Sequence, residues 1–447
     1  MDNRADEYLV GVATVDITPP VGIPLGGFAV RSKHASTGVY HPLRAVALAI
    51  EDDGTPVLII SVEWVDMGDQ SNAIRSSVSD ATGVPESNIV LVATHTHCAP
   101  ATRQSLSDLF GVIDQDNYFA RAAEKITSAA QRAWRERIPG RLSFGSGMCQ
   151  FAVNRRLTDP TIPDRTVQAP NPAGPTDQQV SVLTVTSASD TLIHQADGEP
   201  RFVAFSYACH PTAGAGMRIG GDYVSYAYDH LDSAFDYAQH CFLQGCAGDQ
   251  KPRPEIPGAK EFGWHSRQSL KELGYQLGRV VERVARGDGL TTVTGAVTVR
   301  RQFIDLETEP ASQQEIQAGM EPDAPTHKRR WAELMVDRAA RGLPPTVRVP
   351  FEIQVITFGS SLAIIAMSGE MTVEHGLRLK RELAGTFEFV LPLGYANDMV
   401  GYVPVKRQFS ELGYEVLDAN QFKGRPGRYV EETEDQIHRQ IAVLLGR

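Results

Sequence analysis

The chain has 447 residues, 43 basic against 54 acidic side chains for a net charge of −11, and 42% hydrophobic content. That length and apolar fraction suit a packed α/β enzyme rather than a fibrous or disordered chain. The acidic balance, with no basic run, excludes a general nucleic-acid binder or a protein held on anionic membranes. No apolar stretch of about 18 residues is present to span a bilayer. The first residues, Met1 to Glu7, are polar and lack the apolar centre of a signal peptide. Five cysteines are an odd number with no Cys-X-X-Cys pair, so the expected compartment is the reducing cytoplasm.

In chain order, Val57–Val62 reads as a strand, Gln70–Thr82 as a helix, and Ile89–Val92 as a second, buried strand. The Ile89 strand runs into Thr94-His95-Thr96-His97-Cys98-Ala99-Pro100. Residues two apart on a strand share one face, so His95 and His97 can enter one cleft. Alone, His-X-His is equally a polar strand end bonded to nearby backbone. Residues 116 to 137 carry Phe119, Ala123, Ile126, Ala130 and Ala133 at helical spacing. The Pro-rich stretch from Leu157 to Pro175, just past Arg155, is expected as a long loop and a candidate lid.

Phe202–Ala208 reads as a strand ending in Cys209-His210-Pro211-Thr212. Asp222 either caps the helix that follows it or orients His210. Residues 266 to 286 read as a helix, and 310 to 349 as a polar helical insertion. Leu362–Met367 is a strand ending in Ser368-Gly369-Glu370, followed by a helix over 371 to 383. Phe387–Leu391 leads to Tyr395 and Tyr402, and 431 to 445 is a terminal helix. Four apolar strands thus deliver potential ligands to Gly- or Pro-containing turns, where sites in α/β sheets collect. Two imidazoles and a carboxylate suit a catalytic zinc with three protein ligands and an open position. Such an ion lowers the pKa of bound water from about 15.7 to about 7. Cys98 and Cys209 flank candidate ligands but read as small buried cysteines. Glu63 is a candidate partner for a ligand histidine.

The ordered set of motifs resembles the neutral/alkaline non-lysosomal ceramidases. It runs from Val10-Gly11-Val12-Ala13-Thr14-Val15-Asp16-Ile17-Thr18-Pro19-Pro20 and Gly26-Gly27-Phe28 through His41-Pro42-Leu43-Arg44-Ala45. It continues with Ala93 to Pro100, Asn154-Arg155, Cys209 to Thr212, Gly248-Asp249, Gly369-Glu370 and Tyr395 to Tyr414. The resemblance implies a single catalytic domain over 1–447 with a mixed β-sheet core flanked by helices. It implies zinc held by His95, His210, Glu370 and Tyr402, with Tyr395 competing for the last place. It further implies that His97, Arg155 and Tyr414 contact the scissile carbonyl. Where that family carries serine in Gly-Asp-Val-Ser-Pro, this chain has Gly248-Asp249-Gln250-Lys251-Pro252. Lys251, with Arg155, is therefore expected to bind substrate, and the substrate is expected to be a small non-sphingolipid amide. The family's C-terminal β-sandwich is not expected within this length. A zinc lyase or ring-opening enzyme acting on an acidic substrate remains the alternative, ahead of a non-catalytic ligand-binding member.

Overall fold

The computed structural model describes residues 6–28, 34–100, 102, 117–159, 161, 165–188, 199–214, 216–287 and 289–447. Two β-sheets lie face to face with helices on their outer sides, which makes the architecture a mixed α/β fold. Along the path of the larger sheet the strands run Gln239–Gln244, Phe202–Tyr207, Gln179–Ser187, Ile138–Met148, Tyr8–Asp16, Arg44–Asp52, Thr55–Val62 and Ile89–Ala93. Both end pairs are parallel and the pairs between them antiparallel. The Ser61 hydroxyl donates to the Phe242 carbonyl at 2.6 Å, so the two ends of this path come together. The smaller sheet orders Val297–Glu307, Arg348–Phe358, Leu362–Met367 and Phe389–Leu393.

Alternation within the strands explains the layering. In Ile89–Ala93, Val90 and Val92 join Ile356, Ile364 and Leu391 in the apolar layer between the sheets. Ile89, Leu91 and Ala93 face the other way, onto helices Ser71–Thr82 and Tyr118–Arg135. A strand buried on both faces must be apolar throughout, as this one is. Helices Tyr223–Ala234 and Arg267–Ala285 cover the Phe202 end of the large sheet. The outer face of the small sheet carries Val373–Leu383 and Thr433–Leu444. Between Leu157 and Pro175 the expected long loop is instead largely a hairpin: Ala152–Thr158 pairs antiparallel with Thr166–Asn171. Its prolines stand at the end of the second strand and in the following turn, where ladder hydrogen bonds are not needed; residues 160 and 162–164 lie outside the described residues. The 310–349 stretch holds helices Gln313–Met320 and Thr326–Ala340. Among the described residues no helix is long and apolar enough to cross a membrane.

Three buried histidines lie away from the candidate site. Burial pushes His375 down to about 4 and His240 to about 3, and His438 lower still. His375 Nδ1 and His438 Nε2 are 3.1 Å apart, joining the helix after Glu370 to the terminal helix. An unfolded histidine titrates near 6.5, so between that pH and the lower folded values the unfolded chain binds more protons. Stability is therefore full above about pH 6.5 and is lost as pH falls, by about 2 kcal/mol per histidine at pH 5. Glu63 acts in the opposite sense: burial raises its carboxyl to about 7, so acidification to pH 5 restores about 2 kcal/mol. The three histidines outweigh it. Urea unfolding is expected to give a free energy several kcal/mol lower at pH 5 than at pH 7. Equal values would mean that these imidazoles are not held neutral.

Candidate metal centre

His95, His97, His210 and Glu370 converge at the carboxyl ends of strands from both sheets. His95 and His210 follow strands of the large sheet, and Glu370 follows Leu362–Met367 of the small one. The segment Gly394 to Gly401 clamps these ends together. The Ala93 amide donates to the Tyr395 carbonyl, the Tyr395 amide to Gly369, and the Glu370 amide to Gly401. His95 (φ 64°), Tyr395 (φ 56°) and Asn397 (φ 58°) are left-handed. Such conformations cost about 1–3 kcal/mol each, persist only where surroundings over-determine them, and cluster at functional sites.

Each of the two candidate ligands His95 and His210 is oriented by its Nδ1. His95 Nδ1 lies 2.6 Å from the Val65 carbonyl, and His210 Nδ1 lies 2.6 Å from Ala247 O and 2.9 Å from Gln250 O. A carbonyl only accepts, so Nδ1 carries the proton and the Nε2 lone pair points inward. Both Nε2 atoms face the Glu370 carboxylate: Oε2 is 3.3 Å from His95 Nε2 and 3.4 Å from His210 Nε2. His210 Nε2 and Glu370 Oε2 are buried with no hydrogen-bond partner. Burial, with Arg155 and His95 adding to it, lowers His210 to about 4 and keeps it neutral. Burial would raise Glu370, but positive charge at the positions of His95 and His210 holds it well below the usual carboxylate range, a charge that a cation between neutral imidazoles would supply. Lone pairs converging on an anion, with no proton between them, describe a cation site. The separations agree: a tetrahedral ion with bonds of about 2.0–2.1 Å places its ligand atoms about 3.3–3.4 Å apart.

His97 offers a competing set, because its Nε2 is 3.2 Å from His95 Nε2 and the ligand atoms of His95, His97 and His210 lie within 4.8 Å. The His95, His210 and Glu370 set is the better cage, since it supplies negative charge and uses two otherwise orphaned atoms. The His97 ring packs on Phe28, centroids 4.5 Å apart. Gly27 (φ 87°) allows this approach, because a Cβ there would stand 2.2 Å from His97 Cγ.

Tyr402 pairs in register with Glu370 across the short parallel strands Glu370–Met371 and Tyr402–Val403, and its ring stacks on His210 at 6.4 Å. Tyr414 lies 5.4 Å from the Tyr402 ring, and the Arg155 guanidinium is 5.1 Å and 5.6 Å from the two rings. Tyr395 stands closer to His95, at 4.3 Å, and its hydroxyl is buried without a hydrogen-bond partner. Lys251 belongs to the same wall: burial and then Arg155 lower its ammonium to about 8. All the expected site residues are therefore in one place. Three other expectations resolve as structure. Asp222 caps Tyr223–Ala234, accepting from the Tyr223 amide. Glu63 accepts from the Arg44 amide at 2.6 Å and is not a partner of the ligand histidines. All five cysteines are buried, and none forms a disulfide among the described residues.

Two carboxylates had no role assigned from the sequence, although Gly248-Asp249 stands among the family-like motifs. Glu415 accepts from Arg155 Nε at 2.8 Å and from Arg156 Nη1 at 2.6 Å. Asp249 accepts from the Val373 amide and from Asn154, Gln250 and Gln408 side chains, while its carbonyl receives the Arg155 amide. It ties the Arg155 strand to the helix that begins after Glu370.

The family profile for neutral/alkaline non-lysosomal ceramidase, N-terminal, matches residues 8–240. The chain belongs to this ceramidase family. A neutral ceramidase of Pseudomonas aeruginosa is 24% identical over 485 aligned residues, covering 93% of this chain and 70% of the relative. The crystal structure of neutral ceramidase from Pseudomonas aeruginosa superposes with a TM-score of 0.73 at 19% identity, covering 99% of this chain and 74% of that one. A ceramidase complexed with C2 gives 0.73 at 20% identity, over 98% of this chain and 75% of the other. The ceramidase-like fold thus extends past the matched family segment to Glu370 and Tyr402.

Proposed function

We propose that this ceramidase-family protein is a zinc-dependent amide hydrolase whose single catalytic unit spans the chain. The observation that carries the reading is the pair of backbone-oriented imidazoles facing a buried, anionic Glu370. His95, His210 and Glu370 would hold the metal, with Tyr402 as fourth residue because its strand lies in register with Glu370. When bound, zinc makes water a nucleophile near neutral pH and polarises a carbonyl oxygen. The protein's residues then divide the work. His97, adjacent to the ligands and in contact with Phe28, is placed to move a proton between attacking water and departing amine. Arg155 has a buried Nη2 without a partner, and Tyr414 lies beside it. Both are donors for the oxygen that gains charge as the carbonyl carbon becomes tetrahedral, a role worth about 3 kcal/mol per donor. Glu415 holds Arg155 in position, and Phe28 excludes water from one side of His97. An amide other than ceramide is favoured by Lys251 in the wall of the site.

Purified protein is expected to contain about one zinc per chain by plasma mass spectrometry. It is also expected to release amine from short N-acyl amines, to lose this on chelation, and to regain it with added zinc. Amine release that survives complete metal removal would end the reading.

A further inference from the structure

Lys251 is a cation built into the wall of this site without a counter-ion among the described residues. It lies in the short strand Gln250–Pro252, in register with Val153 of the antiparallel Ala152–Thr158 strand. Two positions along that neighbouring strand, a bulge between Asn154 and Arg156 turns both Arg155 and Arg156 toward Glu415, so Lys251 stands beside an arginine whose charge is already paired. The preceding residue, Gln250, gives its carbonyl to both the amide and Nδ1 of His210, which places Lys251 one residue from the support of a ligand. Its ammonium stands 4.9 Å above the Phe262 ring. No ion pair of Lys251 occurs among the described residues. The nearby carboxylate, Asp222, spends its oxygens on the amides of Ala213, Gly214 and Tyr223. Arg155, by contrast, is neutralised by Glu415.

A half-buried cation loses hydration and regains it only from an anion. Inside a catalytic pocket the missing anion is most simply part of the substrate. Beside it the wall is aromatic: Phe28 meets the half-exposed Trp264 edge-to-face at 4.7 Å and His97 at 4.5 Å. We infer that the substrate is an amide with an apolar acyl portion and an anionic group, and that Lys251 is the specificity-determining residue that receives the anion. The inference rests on the hydrolase reading for its chemistry: R–CO–NH–R′ and water give R–COO⁻ and R′–NH₃⁺. The C–N bond breaks, the water oxygen joins the acyl carbon, and the nitrogen takes the protons. The shared ligand chemistry is a carboxylate, sulfonate or phosphate.

The test compares N-hexanoylglycine, N-hexanoyltaurine and N-hexanoylphosphoethanolamine with neutral N-hexanoylethanolamine. Wild type is expected to favour at least one anionic amide by about 10-fold or more in kcat/KM, as a charge-assisted contact implies. Lys251→Met should cut that ratio by about 10-fold, mainly through KM, and Lys251→Arg should restore most of it. Which of the three responds identifies the anion. A ratio unchanged in Lys251→Met, or a wild-type preference for the ethanolamide, would overturn the assignment. If no amide is cleaved, the hydrolase reading fails, but calorimetry with the same amides still decides this one. Weaker binding of an anionic amide to Lys251→Met supports it, and equal binding overturns it.

Discussion

Replacing His210 by alanine is expected to empty the metal centre and lower amide turnover by about 1,000-fold or more. The imidazole supplies one of two Nε2 lone pairs facing Glu370 Oε2, at 3.4 Å. Its Nδ1 is locked by two backbone carbonyls, which fixes the direction of the lone pair that alanine would remove. His97→Ala is expected to behave differently: metal content stays near one per chain while turnover falls about 100- to 1,000-fold, the usual range for a lost proton-transfer residue. Measuring zinc and amine release on both variants, with Glu370→Ala beside them, separates the two ligand sets. Should His97→Ala lose zinc as completely as His210→Ala while Glu370→Ala keeps it, the ion sits among three histidines. The assignment of Glu370 as ligand and His97 as proton carrier would then be withdrawn.

The second large effect is on stability. Glu415→Ala removes the carboxylate shared by Arg155 and Arg156, all three being buried. Breaking a buried ion pair from one side strands the remaining charge and costs about 3–5 kcal/mol. Arg156 keeps the Leu412 carbonyl and Glu411, whereas Arg155 is left with an Nη2 that already has no partner. Arg155 also loses the group that aims it, so turnover should fall about 100-fold, as for a misplaced catalytic donor. Glu415→Gln, which keeps the shape, should lose less stability than the alanine variant. Urea unfolding within about 1 kcal/mol of wild type for Glu415→Ala would show that water enters and that the pair is not the anchor described here.

The strand ends were legible in the sequence because short apolar runs end at His95, His210 and Glu370, and buried strands need nothing more to be recognised. The helices at Tyr118–Arg135 and Arg267–Ala285 followed from spacing alone, to within two residues. The face-to-face pairing of two sheets was not legible, since a strand covered on both sides reads the same whether helix or sheet covers it. The proline-rich 157–175 stretch misled for a local reason: Pro170 and Pro172 stand at the end of a hairpin strand and in the turn after it, and composition does not distinguish that from a loop. The tethering roles of Asp249, quoted only as part of a motif, and of Glu415 were not legible because a carboxylate that holds other side chains carries no spacing of its own. Only the tertiary placement of Arg155 and Asn154 reveals them. His95 in a left-handed conformation is likewise invisible until the Tyr395 segment crosses above it.

The candidate ligands come from both sheets, and this would give a bound ion a second role. His95 and His210 belong to one sheet and Glu370 to the other, so neither sheet alone offers the full cage. A partly assembled chain, with one sheet formed and the other undocked, has only half a binding site and little affinity. Metal capture would therefore report completed docking, and the free energy of binding would be added to the association of the two halves rather than to either one. An ion held there would be a rivet across the seam: drawing it out should loosen the junction between the sheets before it disturbs the interior of either.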